Sequence, residues 1–155
     1  MKIAIVGLGK MGSQIARKLE ENNFDVFSHH HHDNKAETLK RFEDEQAVIW
    51  LMIPSEKVDE ELNEWLEILP KKSIIIDGGN SDFRLTQKRS VFVAKKGSVL
   101  MDVGTSGGVW GYDNGFSMMA GGDKASFQII EPILKTLAKP FGAYQYFGES
   151  GSGHY

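Results

Sequence analysis

No cysteine occurs among the 155 residues. That excludes disulfides and thiol chemistry and fits a reducing, cytoplasmic setting. Long apolar runs are missing as well, and none approaches the ~20 residues of a membrane span. Met1-Lys2 leads into a short stretch, Ile3 to Val6, and then into glycines, which is too little for the core of a secretory signal. An excess of either charge is missing, with 18 Lys and Arg against 21 Asp and Glu. A formal net charge of −3 gives no reason to expect nucleic acid or an anionic membrane as a partner. Internal repeats and linker-like tracts are absent, so one domain is expected, large enough to bury roughly 70% of its unfolded surface.

What the chain has in abundance is glycine, seventeen residues. They cluster at 7–12, 78–79, 104–111, 121–122 and 148–153, between segments of regular periodicity. Strands are expected at Lys2–Val6, Asp25–His29, Ala47–Ile53, Ser73–Asp77, Val99–Val103, Phe116–Ala120 and Ala143–Phe147. Helices are expected at Met11–Glu21, Lys35–Asp44, Glu56–Leu69, Phe83–Lys95 and Lys124–Leu137. Strands alternating with helices imply a parallel sheet. Asn34 with Glu37 reads as a capping box, and Ser55, Ser81 and Asp123 read as N-caps. Trp50 falls inside an apolar strand and Trp65 on the apolar side of a helix with Leu62 and Leu69, so both read as core. Met118-Met119 reads as packing, and the charge-rich stretches 37–45 and 56–64 as solvated helix faces.

Asp77-Gly78-Gly79-Asn80-Ser81 follows the apolar run Ile74–Ile76 and precedes a helical pattern. It holds an Asn side chain at the carboxyl edge of a parallel strand, where open α/β sheets bind ligands. The two glycines let backbone or ligand approach closely.

Gly7-Leu8-Gly9-Lys10-Met11-Gly12 is a G-x-G-x-x-G motif between a strand and a helix. The first glycine suits a tight turn, the second a close approach to a pyrophosphate, and the third helix–strand packing. The helix N-terminus then offers amides to the phosphates. A tight turn without ligand is the plain alternative. The ribose reader should stand about 20 residues on, as an acid for NAD or an arginine for NADP. His29-His30-His31-His32-Asp33 occupies that place. A histidine can bond a 2′-hydroxyl, or a 2′-phosphate when protonated. The four histidines also read as a polar loop resembling an internal tag, or as an adventitious trap for a transition metal; a native metal site is not expected.

Only about 17 residues separate His30 from the strand near Ala47. One helix fits there, where a full nucleotide-binding half would also hold a strand and a second helix. The expected fold is therefore α/β, a Rossmann-like doubly wound, mainly parallel sheet lacking one outer strand–helix unit. With right-handed crossovers its strand order begins 2-1-3-4-5.

Gly104-Thr105-Ser106-Gly107-Gly108-Val109-Trp110-Gly111 follows another strand. Ser106, Gly107 and Gly108 expose backbone amides and a hydroxyl suited to an anionic or polyhydroxy ligand. Alone, the segment reads equally as a flexible loop.

Together, GLGKMG at 7–12, IIDGGNSDFR at 75–84, DVGTSGGVWG at 102–111, MMAGGD at 118–123 and GESGSGH at 148–154 closely resemble decarboxylating 6-phosphogluconate dehydrogenases of the shorter bacterial type. The resemblance implies an NAD(P)-binding domain over 1–147 and the start of a linker to a helical domain over 148–155. It implies that Gly7, Leu8, Gly9, Lys10, Met11 and Gly12 hold the pyrophosphate of NADP or NAD. His30, His31 and His32 would face the adenosine ribose, and Met52, Ile53 and Pro54 would line the cofactor path. Asn80 would touch both nicotinamide and sugar acid, and Ser106, Gly107 and Gly108 would bind 6-phosphogluconate. The implied reaction oxidises the C3 hydroxyl by hydride transfer to NAD(P)+, and the β-keto acid loses CO2 to give ribulose 5-phosphate, a step of the pentose phosphate pathway in gluconate metabolism. Other β-hydroxyacid dehydrogenases share the first motif and a version of the Ser-Gly-Gly loop, but not GGNS. A redesigned or non-catalytic nucleotide-binding scaffold is the remaining alternative.

The chain also departs from the pattern. The family continues G-x-G-H-x-x-K, with the lysine as general base, and Tyr155 stands two residues short of it. The resemblance places the catalytic histidine and an asparagine later in the motif, so His154 is not that histidine, and Leu85 stands where the family carries an acid. The resemblance assigns half the substrate pocket and most of the oligomer contacts to a helical domain beyond these residues. No catalytic residue is therefore expected among the 155, little or no turnover is expected from them alone, and residues 148–155 are expected to be poorly ordered.

Overall fold

Alternating strand and helix patterns fold as β1 (Lys2–Val6), α1 (Lys10–Glu21), β2 (Asp25–His29), α2 (Lys35–Lys40), β3 (Val48–Leu51), α3 (Ser55–Leu66), β4 (Ile74–Asp77), α4 (Phe83–Lys95) and β5 (Val99–Ser106). A 3-10 turn (Gly108–Trp110), α5 (Gly111–Asn114), β6 (Ser117–Gly121), α6 (Lys124–Ala138) and β7 (Ala143–Gly148) complete the chain. The computed structural model describes residues 1–155. The sheet has seven strands in the order β2-β1-β3-β4-β5-β6-β7, so the expected 2-1-3-4-5 start holds. Strands β1 to β5 pair in parallel, β6 runs antiparallel to β5, and β7 runs parallel to β6.

The central strands carry unbroken apolar runs because both sheet faces are covered, with Asp77 closing β4 and Asp102 lying within β5. Side chains alternate between two cores with the period of two that a strand dictates. Ile3, Ile5, Val48, Trp50, Ile74, Ile76, Met101 and Val103 join Ile15 and Leu19 of α1 and Ile130, Ile133 and Leu137 of α6. Ala4, Val6, Ile49, Leu51, Ile75 and Leu100 face the other way, onto Val58, Leu62 and Trp65 of α3 and Val93 of α4. Trp50 and Trp65 are both fully buried, on opposite faces.

Some boundaries shift. Helix α2 stops at Lys40, and Glu43 takes a positive φ of 54°. Helix α3 stops at Leu66, yet Leu69 still packs on the core. Asp123 accepts from the Ser126 N–H as the N-cap expected, and Asn34 accepts from the Glu37 N–H, but the Glu37 carboxylate accepts from Lys40, so only half of the expected capping box forms. Ser81 is not a cap. Asp82 takes that role, while the Ser81 hydroxyl turns inward to the Asp77 carboxylate. Ser55 lies inside α3 rather than before it. Strand alternation splits the methionine pair, so Met118 is buried and Met119 is 45% exposed.

The largest departure is the tail. Gly151 and Gly153 are buried. Asp102, fully buried at the end of β5's apolar run, accepts from the N–H groups of Gly151 (2.9 Å), Gly153 (2.8 Å) and His154 (3.0 Å). The His154 ring adds Nε2 to the Asp77 carbonyl (3.1 Å) and Nδ1 to the Thr86 hydroxyl (2.8 Å). The expectation of a poorly ordered tail is thereby corrected. A buried carboxylate needs donors, and three consecutive-turn amides supply them.

Candidate functional site

The carboxyl ends of β1, β4 and β5 carry the glycine segments at 7–12, 78–79 and 104–111, and Met52-Ile53-Pro54 follows β3 at the same edge; the glycines at 121–122 and 148–153 lie at and after the ends of β6 and β7. At the end of β1, Gly7 adopts φ of +89°, and a Cβ there would stand 2.3 Å from the Met52 carbonyl oxygen. A Cβ on Gly12 would stand 2.0 Å from the Gly7 carbonyl oxygen. Both glycines are thus required by packing of the turn against α1 and β3. Gly9 differs. It is the N-cap of α1 without a side-chain cap, and a Cβ there would meet no atom within 4 Å. The first-turn amides of α1 therefore open onto free space, the arrangement that receives a phosphate. Leu8 and Met11 pack partly against the core, and Lys10 is exposed.

Beside this loop a crevice of about 270 Å³ runs between the ends of β1 and β3. Val6, Gly7, Ile53 and Pro54 form its inner side and His31, Lys35 and acids of α3 its outer side. The α3 charges are therefore not only a solvated face. Lys35 Nζ donates to Glu64 Oε2 at 2.6 Å and to Glu61 at 3.4 Å, and the Trp65 indole N–H donates to Glu61 at 3.0 Å. Burial works against the Lys35 charge, but its bonds to Glu64 and Glu61 win and hold its pKa above the ordinary value. The Lys35 bond in turn holds Glu64 low. Met52 does not line this crevice; it sits beneath Gly12 and Gly78 and takes the Trp50 indole N–H on its sulfur at 2.9 Å.

The histidine run divides into separate environments. Only His31 lines the crevice. The His30 backbone N–H donates to Asp33 at 2.8 Å, and its ring stacks on that of His32, 6.2 Å between centroids. His29 is core, 1% exposed, with its ring against Trp65 and Nδ1 2.8 Å from the Thr38 hydroxyl. Its Nε2 has no partner. A buried lone pair without a donor costs less than a buried N–H without an acceptor, which places the proton on Nδ1. No group of three or more His, Asp or Glu is arranged to hold a metal.

Burial, together with the nearby Lys35 charge, pushes the His29 pKa below its ordinary value. The unfolded chain then binds more protons below the ordinary histidine range, so stability is full above pH ~6.5 and falls as pH drops through the folded value. Urea unfolding at pH 7.5 and 5.5 should show this loss, and H29Q should reduce the difference between the two pH values. An unchanged difference would place the pH dependence elsewhere.

At the end of β4, Gly78 and Gly79 are pressed against Trp50 and the Ile53 carbonyl, where a Cβ would approach to 2.2 and 2.6 Å. Asp77 is fully buried; it accepts from the Gly79 N–H (3.1 Å) and the Ser81 hydroxyl (2.8 Å). Arg89 of α4, only 5% exposed, donates to Ser81 (3.1 Å), the Ser55 carbonyl (3.0 Å) and Asp59 (2.8 Å), and stands 3.9 Å from Asp77. This network holds the turn from which Asn80 projects. Asn80 and Ser106 share a cleft of about 440 Å³ with Thr105, Met119 and His154. Gly107 (φ +148°) and Gly108 (φ +49°) form the following turn outside its lining.

Asp77, Arg89, Asp102 and Lys35 received no role from the sequence. The available signals were acids closing apolar runs at 77 and 102, and an arginine on the helix face shared with Thr86 and Val93.

Residues 2–148 match the family described as the NAD binding domain of 6-phosphogluconate dehydrogenase. The chain belongs to this family. YqeC of Bacillus subtilis, named only provisionally as a 6-phosphogluconate dehydrogenase, is 32% identical over all of this chain and 57% of its own length. The NAD(+)-dependent decarboxylating 6-phosphogluconate dehydrogenase of Haloferax volcanii is 29% identical over all of this chain and 56% of its own. Among solved structures, 6-phosphogluconate dehydrogenase of Plasmodium falciparum, studied apo, with its cofactor NADP+ and with its substrate 6-phosphogluconate, superposes with a TM-score of 0.85 at 25% identity. It matches all of this chain and 38% of its own. The chain thus spans little more than half the length of these two curated relatives and under two fifths of others it matches. It is an NAD(P)-binding domain of an oxidoreductase family, and no helix in it is long and apolar enough to cross a membrane.

Proposed function

We propose that the chain forms the dinucleotide-binding half of a cytoplasmic 6-phosphogluconate dehydrogenase, which converts 6-phosphogluconate to ribulose 5-phosphate in the pentose phosphate pathway. The observation that carries this reading is the contrast within the first loop. Gly7 and Gly12 are glycines because protein fills the space, and Gly9 is a glycine with nothing beside it. An open backbone at an uncapped helix N-terminus, beside a crevice, is a cradle for a pyrophosphate.

In this reading the loop Gly7–Gly12 holds the pyrophosphate, with Lys10 at its rim. His31, Ile53 and Pro54 border the adenosine end. Asn80, kept at the β4 edge by the Asp77–Ser81–Arg89 network, meets the sugar acid together with Ser106, while Gly107 and Gly108 turn the chain beside it. The nicotinamide, when bound, supplies the hydride acceptor. The 155 residues bind and orient, and the proton is taken by the lysine that the resemblance puts two positions past Tyr155. Subunit association belongs, in the same reading, to the further domain.

Calorimetry on the chain as it stands, with NAD+ and NADP+, tests this. Binding of at least one is expected. Gly9→Ala should weaken it at least about tenfold by filling the cradle while moving Tm by less than about 2 °C. Failure of both dinucleotides to bind, or undiminished binding by G9A, would overturn the reading. Following reduced-cofactor absorbance with 6-phosphogluconate should show no turnover from these residues; robust turnover would contradict the assigned division of labour.

A further inference from the structure

The two nicotinamide dinucleotides differ by one phosphate on the adenosine ribose, which carries close to two negative charges near neutral pH. A site that accepts it offers a free cation, commonly an arginine. The crevice beside β1 offers the opposite. Strand β2 ends in His29, which is buried, and the next residue, His30, has its backbone N–H engaged by Asp33. The best-placed cation, Lys35, has only 15% of its side chain exposed and is committed to Glu64 and Glu61. Those bonds favour its charge, but they also spend its donors on carboxylates rather than on a ligand. Lys57 is the other ammonium on the lining, and it shares the space with Glu60, Glu61 and Glu64. Carboxylates therefore outnumber ammoniums around the crevice, and one of the two ammoniums is already neutralised.

Resting on the dinucleotide reading above, we propose that this crevice selects NAD+ over NADP+. Glu61 and Glu64 are the specificity-determining residues. They tether Lys35 and set the negative field that a 2′-phosphate would have to enter. A ribose carrying free hydroxyls meets no such cost. The names of the relatives do not decide the matter, since one is NAD(+)-dependent and another binds NADP+. Local charge in this chain decides it.

Calorimetry at pH 8, above the ordinary histidine range, and about 0.1 M salt tests the proposal on the chain as it stands. NAD+ should bind at least about tenfold tighter than NADP+, a difference that shrinks as salt screens the field. E64Q removes one negative charge and releases a bond on Lys35 while leaving the Trp65–Glu61 contact in place. It should improve NADP+ binding at least about threefold and change NAD+ binding by less than about twofold. A thermal melt confirms that E64Q is folded. NADP+ binding equal to or tighter than NAD+ would overturn the proposal, as would E64Q moving both dinucleotides alike. Binding of neither would instead overturn the dinucleotide reading, and the preference with it.

Discussion

Asp102→Ala is expected to release the last seven residues from the sheet and to lower stability by about 2–4 kcal/mol. The carboxylate is fully buried and accepts from three backbone N–H groups, those of Gly151, Gly153 and His154. Leaving a buried donor without an acceptor costs about 1–3 kcal/mol. Three such donors exceed what a short tail can bear, so the tail should swing into water rather than stay docked unpaired. The loss is then capped at the tail's own docking energy plus the exposure of Gly104 and Gly121, which it covers. Amide hydrogen exchange reads this directly. Protection at 151–154 should collapse in the variant while β1 and β3 keep theirs. Asp102→Asn keeps one acceptor oxygen and should show a milder form of the same pattern. Intact protection at 151–154 in D102A would mean that His154 and backbone packing hold the tail unaided.

Arg89→Met should cost about 3–5 kcal/mol, the range for removing one partner of a buried charged pair. Its guanidinium is nearly inaccessible, bonds Ser81 and Ser55, and is the cation nearest the fully buried Asp77. The Asp59 arm contributes little, since that carboxylate is 70% exposed. For a domain of this size the loss corresponds to a fall in Tm of roughly 10 °C. Asp77→Asn in the same chain should recover part of it by removing the stranded charge, which a double-mutant cycle measures. Because Arg89 also holds Ser81, R89M should loosen the Asn80 turn and weaken whatever Asn80 contacts. A cost below about 1 kcal/mol would show that Gly79 and Ser81 satisfy Asp77 by themselves.

The architecture was legible because its determinants are local. Ile3–Val6 and Ile74–Ile76 are apolar at every position, which only a strand covered on both faces requires. The short chain between His30 and Ala47 has room for one helix, and that arithmetic alone removes an outer strand and yields the observed order. The glycine loops were legible because their spacing reflects turn geometry. What stayed hidden depends on partners far along the chain. Asp102 finds its donors about fifty residues later, and an acid after an apolar run looks like any strand end. His29 looked like the first of four equivalent polar residues, yet strand alternation turns it inward against Trp65. The α3 acids looked solvated until α2 brought Lys35 beside them, a pairing set by packing rather than by helical spacing.

The placement of the tryptophans has a practical consequence. Of the three, Trp110 is 68% exposed and should emit like a solvated indole whatever happens in the interior. Trp50 lies under Gly78 and against the Met52 sulfur, below the Asn80 turn. Trp65 lies against His29 and bonds Glu61, beneath the crevice by α2. The fold has thus fitted each end of its sheet edge with a built-in fluorophore. Single-tryptophan versions of the chain should report events at the two ends as separate optical signals, without any label.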